Sequence, residues 1–199
     1  MRPVVVYVHG KGGDAREADR FKPLFGGCEV IGLDYHAETP WDARREFGAF
    51  ADDLCRKSGA FVLIANSIGA YFSMLSFTKE QVKRAFFISP VVDMERLIAG
   101  MMLRAGVTEA QLREKKTIPT DQGETLSWEY LRFVRENPIA WEVPTAILYG
   151  ANDALTPFDA MAVFADRTCA TLTVMENGEH WFHTKEQLAY LDAWIAASL

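Results

Sequence analysis

Phe61-Val62-Leu63-Ile64-Ala65-Asn66-Ser67-Ile68-Gly69-Ala70-Tyr71-Phe72 is the stretch whose reading decides the fold. Phe61 to Ala65 are apolar and rich in branched or aromatic side chains, the composition of a short buried strand. Tyr71, Phe72 and Leu75 then mark the face of a helix that opens just past the serine. A strand that runs straight into a helix must turn sharply, and the residues two before and two after the apex have to be small if the two elements are to approach. Ala65 and Gly69 stand at those positions. Such a turn lifts the Ser67 hydroxyl clear of the sheet edge and leaves the Ile68 N–H at the positive end of a helix. A serine here can also do no more than cap its helix, and the stretch alone leaves both roles open.

Reading outward, similar apolar runs occur at Val4 to Val8, Cys28 to Leu33, Ala85 to Ile88, Thr145 to Tyr149 and Ala170 to Met175. Helical patterns lie between them. Phe47, Phe50, Ala51, Leu54 and Cys55 make one apolar face, which should pack on a sheet. Thr39-Pro40-Trp41-Asp42 and Thr156-Pro157-Phe158-Asp159 both read as a hydroxyl cap, a proline whose missing N–H is harmless there, and an acid near the positive dipole end. A last helix is expected from Thr184, with Gln187 reaching back and Leu188, Leu191 and Ile195 buried. Six strands alternating with helices predict an α/β fold, a mostly parallel sheet with right-handed crossovers and ligands at the carboxyl ends of the strands. Pro90 to Pro144 is too long for one crossover. Met94, Leu97, Ile98, Met101, Met102, Leu126, Tyr130, Phe133 and Val134 recur in it at helical spacing, so residues 91–143 are expected to form two or three short helices. These serve either as a lid over the catalytic edge or as one more packing layer.

Composition narrows the classes. At 199 residues the chain has room for one domain, 1–199, with an embellishment. A net charge of −6 opposes nucleic-acid binding, which draws its affinity from lysine and arginine. No apolar stretch approaches the ~20 residues of a membrane span. Cys28, Cys55 and Cys169 are odd in number and contain no C-x-x-C, so they read as buried free thiols in a reducing compartment, the cytoplasm, with no metal site. Oligomeric state is left open.

The chemistry rests on four segments. A serine hydroxyl needs a base to take its proton and a third group to fix the base's tautomer. Ala65-Asn66-Ser67-Ile68-Gly69 resembles the nucleophile elbow G-x-S-x-G, with Ala65 in place of the first glycine. Of four histidines, His180 lies in the turn-forming Asn177-Gly178-Glu179-His180 just after the last strand, His183 adjoins the final helix and keeps a smaller claim, and His36 and His9 lie in early turns. Asp153 follows the Thr145 to Tyr149 strand, with Asp93 as its alternative and Asp159 read as a helix-start charge. His9-Gly10-Lys11-Gly12-Gly13, directly after the first strand, can turn backbone amides toward a ligand.

Glycine turn, serine, acid and histidine each follow a strand, in the order that resembles the α/β-hydrolase superfamily across nearly the whole chain. The resemblance departs at Ala65 and in lacking the family's usual amino-terminal strand pair, which marks a minimal member. It implies a serine hydrolase with a Ser67, His180 and Asp153 triad, the Ile68 and Lys11 amides as oxyanion hole, His9 as structural, and no cofactor. The small-molecule substrate is then a partly hydrophobic carboxylic ester, with thioester or amide possible, bound with help from Met101, Met102 and Trp181.

Two other readings compete. Gly10-x-Gly12-x-x-Ala15, with Asp34 about 20 residues on, also fits a nicotinamide-dinucleotide fingerprint. Against it, Asp14, Glu17 and Asp19 crowd the following helix and repel a pyrophosphate. The other is a non-catalytic small-molecule binder on the same fold.

Overall fold

The computed structural model describes residues 2–121 and 123–199. In chain order it runs β1 (Val4–Val8), a 3₁₀ helix (Ala15–Leu24), β2 (Glu29–Gly32), α1 (Pro40–Ser58), β3 (Phe61–Asn66), α2 (Ile68–Ser76), β4 (Val82–Ile88), α3 (Met94–Arg104), α4 (Glu109–Lys115), β5 (Thr117–Pro119), β6 (Thr125–Ser127), α5 (Trp128–Glu136), β7 (Thr145–Gly150), α6 (Phe158–Thr168), β8 (Thr171–Met175) and α7 (Lys185–Ala197). The chain divides into two compact units, one ending at Val92 and resuming at Ala140–Leu199, the other spanning Asp93–Ile139.

The larger unit is built on one sheet in the order β2-β1-β3-β4-β7-β8, every neighbouring pair parallel. Its central strands are apolar at successive positions because both faces are covered. On one face Val5 and Tyr7 of β1 join Ile64, Phe86 and Leu148 in a core with Phe21 and Phe25 and with Leu191, Trp194 and Ile195 of α7. Val8, of opposite parity, meets Gly69 of α2, so α2 lies on the other face. There the fully buried Phe47 of α1 sets its ring 6.1 Å from Phe72 of α2 and 5.6 Å from Phe77.

Most element ends fall close to the sequence reading. β4 starts at Val82 instead of Ala85, because Lys83 and Arg84 occupy its solvent end and interrupt the apolar run. Thr39 caps α1 through Asp42 N–H, and Thr184 with Gln187 forms the capping box of α7. Leu188, expected inside, is only half-buried, and Trp194 takes more of the core face. Thr156 departs from expectation. It does not cap α6, whose N-cap is Pro157 without a side-chain hydrogen bond; its hydroxyl is engaged with Asp153. Among the cysteines, Cys28 and Cys55 are half-buried free thiols, while Cys169 is exposed at the left-handed end of α6.

The 93–139 unit packs α3, α4 and α5 with an antiparallel β5–β6 hairpin that pairs Ile118 with Leu126. Leu126 therefore sits on a strand, not on a helix as its spacing implied. Arg135 of α5 ties the helices together, reaching Glu95 of α3 at 2.6 Å and Glu109 of α4 at 2.7 and 2.8 Å.

Candidate active site

The strand order reverses direction at β1, which β2 flanks on one side and β3 on the other. Such a switch point opens a crevice beyond the carboxyl ends of the strands. The turn after β1 and Ser67 after β3 flank it.

Ser67 links β3 to α2 with φ 51° and ψ −120°, a region disfavoured for any residue with a Cβ. The conformation is held by Ser67 N–H donating to Ile88 O at 3.0 Å and by Ser67 O accepting from Val91 N–H at 3.1 Å. Gly69 is needed because a Cβ there would overlap the His9 carbonyl oxygen, and Ala65 is fully buried in β3. The small-residue requirement read from the sequence is thus a contact between α2 and the end of β1.

The Gly10–Gly13 turn closes through Gly13 N–H to Gly10 O at 3.2 Å, with Lys11 and Gly12 at its centre and Gly12 at φ 77°. A Cβ on Gly10 would stand 3.2 Å from Ser67 Cβ, so the turn runs directly beside the serine. His9 supports it: Nδ1–H donates to Gly10 O at 2.8 Å, the ring stacks on Tyr35 at 4.2 Å, and Tyr35 Oη donates to His9 O at 2.9 Å. Ile68 is the first residue of α2, where helical N–H groups have no partner within the helix.

Three distant side chains meet at this edge. Ser67 Oγ lies 2.8 Å from His180 Nε2, and His180 Nδ1 lies 2.7 Å from Asp153 Oδ2. A carboxylate only accepts, so the ring proton resides on Nδ1 and the Nε2 lone pair is left to receive the Ser67 O–H. Asp153 has no solvent-exposed side-chain surface, and its Oδ1 takes N–H groups from Leu155 at 2.8 Å and Thr156 at 3.0 Å. Burial favours the neutral form of its carboxyl. Hydrogen bonds and charge from His180, together with those from Thr156, outweigh that and hold it below the usual carboxylate range.

The loops bearing acid and imidazole are joined through backbone. Asn152 N–H donates to Gly178 O at 2.8 Å and Ala151 N–H to Met175 O at 2.9 Å. Gly150 and Gly178 touch with no side chain between them, since a Cβ on Gly150 would stand 2.5 Å from Gly178 C. Sequence reading missed this pair, although a glycine directly after the apolar run of β7 was the available signal.

The other expected residues have surroundings of their own. Asp93 caps α3 by accepting Arg96 N–H at 2.9 Å, and His183 donates Nδ1–H to Trp181 O at 2.8 Å. The imidazole that reaches Ser67 is that of His180, and the carboxylate that meets its Nδ1 is that of Asp153. Trp181, next to His180, is 62% exposed. Met101 is half-buried and Met102 buried in the 93–139 unit, where Met102 lines a cavity of about 250 Å³ with Ala99, Leu103, Val107 and Leu131. The glycine turn opens a 3₁₀ helix whose N-cap is already filled by the Asp14 carboxylate, and Glu17 lies under Gly13 and accepts from Tyr7 Oη at 2.5 Å. Two carboxylates therefore occupy the place a dinucleotide pyrophosphate requires. Among the described residues no group of three or more His, Cys, Asp or Glu could hold a metal, and no helix is long and apolar enough to cross a membrane.

This sheet, with its serine turn after β3, is the α/β-hydrolase fold. Similar solved structures include Est1E from Butyrivibrio proteoclasticus, 16% identical over 100% of this chain and 87% of that one, with a TM-score of 0.77. Est1E with bound ferulic acid matches at 15% identity over 98% and 87%, with a TM-score of 0.72. E-2-(acetamidomethylene)succinate hydrolase matches at 18% identity over 97% and 91%, with a TM-score of 0.60. No protein-family model and no curated protein matches the chain.

Proposed function

We propose that this chain is a serine hydrolase that works through an acyl-enzyme on a small, partly hydrophobic carboxylic ester, with thioesters and amides of similar shape as further substrates. The observation that carries the reading is the unbroken hydrogen-bond chain from Ser67 Oγ through His180 to Asp153 Oδ2. Ser67 attacks the ester carbonyl carbon while its proton passes to His180 Nε2. The carbonyl oxygen gains negative charge and is received by the Ile68 and Lys11 amides. Collapse expels the alcohol, which takes the proton from Nε2. A water molecule, deprotonated by the same nitrogen, then attacks the acyl-enzyme and releases the acid, restoring Ser67. The ionised Asp153 stabilises the imidazolium in both halves. This cycle needs no cofactor.

The hydrophobic part of the substrate has candidate partners near the site. Leu155 and Phe158, just beyond Asp153, and Trp181, beside His180, are large apolar side chains 46%, 51% and 62% exposed. An aromatic acid bound to Est1E, a protein of the same fold, agrees with such a substrate. Free thiols at Cys28, Cys55 and Cys169 suit a reducing compartment, the cytoplasm.

A fluorophosphonate should label Ser67, and a panel of p-nitrophenyl esters of rising chain length should be hydrolysed with a preference that Trp181→Ala weakens. Ser67→Ala and His180→Ala should each lower turnover by about 10⁶-fold. Unchanged ester hydrolysis by Ser67→Ala would reject the proposal.

A further inference from the structure

Thr156 has no role in the cycle just described, yet its hydroxyl stands 2.7 Å from Asp153 Oδ2, the oxygen that also receives His180 Nδ1–H. We propose that Thr156 is a positioning residue for this site, its hydroxyl holding Asp153 Oδ2 so that the carboxylate stays ionised and aimed at the imidazole. The inference rests on the serine-hydrolase reading and deepens it.

Four donors surround the carboxylate. Oδ1 accepts the N–H groups of Leu155 and Thr156; Oδ2 accepts His180 Nδ1–H and the Thr156 hydroxyl. A carboxylate has about four lone-pair sites, so the set is complete. Both groups are out of solvent: the Asp153 side chain has no exposed surface, and Thr156 is 5% exposed.

The two backbone donors fix Oδ1, whereas Oδ2 carries the contact that matters for proton transfer. With the Thr156 hydroxyl present, Oδ2 is braced from a second direction and its charge is shared between two donors. Without it, Oδ2 is held by the imidazole alone, so the carboxyl can tilt about its Cβ–Cγ bond while Oδ1 stays anchored, and the charge on Oδ2 falls wholly on the imidazole. The charged and titratable groups around Asp153 are few. His180 faces it from the loop after β8, and Tyr149 of β7 lies close enough to feel its field, as it also feels that of Asp159 of α6. The threonine itself is held independently of its hydroxyl, since its N–H donates to Oδ1 and its carbonyl accepts Tyr149 Oη–H at 2.8 Å. Removing the hydroxyl therefore leaves the loop's backbone bonds in place.

The test compares Thr156→Val, which removes the donor at nearly constant shape, with Thr156→Ser, which keeps it. A hydrogen bond to a charged group corresponds to roughly 10- to 100-fold, so Thr156→Val should lower kcat for a p-nitrophenyl ester by about 10-fold or more with KM little changed. With one donor fewer, Oδ2 attracts the imidazolium more strongly, so the acid limb of kcat/KM should move to higher pH. The downfield proton resonance of His180 Nδ1–H should shift as well. Thr156→Ser should restore rate, pH profile and resonance. The proposal is overturned if Thr156→Val keeps the wild-type pH profile and resonance, or if Thr156→Ser shares the loss. Should Thr156→Val not fold, Thr156→Ala takes its place in the same comparison with Thr156→Ser. Fluorophosphonate labelling separates the two levels: labelling at Ser67 with an unaltered Thr156→Val sinks only this inference, while absence of labelling and an active Ser67→Ala sink the hydrolase reading itself.

Discussion

Gly150→Ala is the substitution that most directly tests how acid and base are brought together. A Cβ at Gly150 would stand 2.5 Å from Gly178 C and 2.6 Å from the carbonyl oxygens of Gly178 and Glu179. Ordinary contact begins near 3.4 Å, so the two backbones must part by about 0.9 Å, and all three opposing atoms are main chain with no rotamer in which to retreat. Asp153 is three residues past Gly150 and His180 two past Gly178, and the 2.8 Å bond from Asn152 N–H to Gly178 O spans the same gap. Displacing reacting groups by about 1 Å lowers rates by roughly 10²-fold. Overpacking of this kind costs about 1 to 3 kcal/mol, or roughly 2 to 12 °C in Tm for a chain of this size. The expected result is a kcat/KM about 10²-fold lower, with a folded protein of reduced Tm, measured by p-nitrophenyl ester hydrolysis and thermal unfolding. Gly48→Ala is the control, because Gly48 lies inside α1 and a Cβ there meets nothing within 4 Å. It should stabilise the chain by about 0.5 to 1 kcal/mol without touching activity. Wild-type kcat/KM in Gly150→Ala would show that the loops are not aligned by this contact.

Two further outcomes follow from the same edge. Ser89, fully buried at φ 43°, has a hydroxyl with no hydrogen-bond partner among the described residues, so Ser89→Gly should relieve both penalties and raise the urea midpoint by an amount equivalent to about 1 to 2 kcal/mol; a lowered midpoint would contradict it. Asp153→Asn should cut turnover by about 10⁴-fold, and its stability should differ from wild type in a pH-dependent way. Because the native carboxyl lies below its unfolded value, the stability it contributes is present above pH ~4 and is lost as pH falls through the native pKa. The Tm gap between wild type and Asp153→Asn should therefore narrow on acidification below that point, and a gap constant with pH would rule the charge out as its source.

The inner strands were legible because a parallel sheet covered on both faces demands continuous apolar runs, as in Val4 to Val8 and Thr145 to Tyr149, while the less buried edge strands β2 and β8 showed as shorter apolar stretches. The serine turn was legible for a similar reason: its steric demand falls on Ala65 and Gly69, which are local in sequence. The β5–β6 hairpin was not. Its strands have three residues each, too few to show alternation, and Leu126 happens to sit at helical spacing from Tyr130 and Phe133. The 3₁₀ helix from Ala15 to Leu24 carries Pro23 and buries only Ala18 and Phe21, so no helical stripe announces it. Thr156 looked like a cap because Thr-Pro often begins a helix. That Asp153 would claim its hydroxyl depends on the loop's path, which no local pattern encodes.

What unites the legible and illegible parts of the site is direct contact between main chains. Gly69 lies against the end of β1, and Gly150 against Gly178. At each point the distance between two elements is set by backbone packing, which has no side-chain rotamers through which to relax. Elsewhere the sheet asks only for apolar side chains of about the right volume, a demand that many sequences meet. This agrees with 16% identity accompanying a TM-score of 0.77: few positions are dictated sterically, among them Gly69 and Gly150 beside the loops bearing serine, acid and imidazole, and Gly32 of β2, where a Cβ would overlap the Ala15 carbonyl oxygen. It also implies that a methyl group added at Gly69 or Gly150 disturbs the site more than a larger change within the apolar core, where neighbouring side chains can repack.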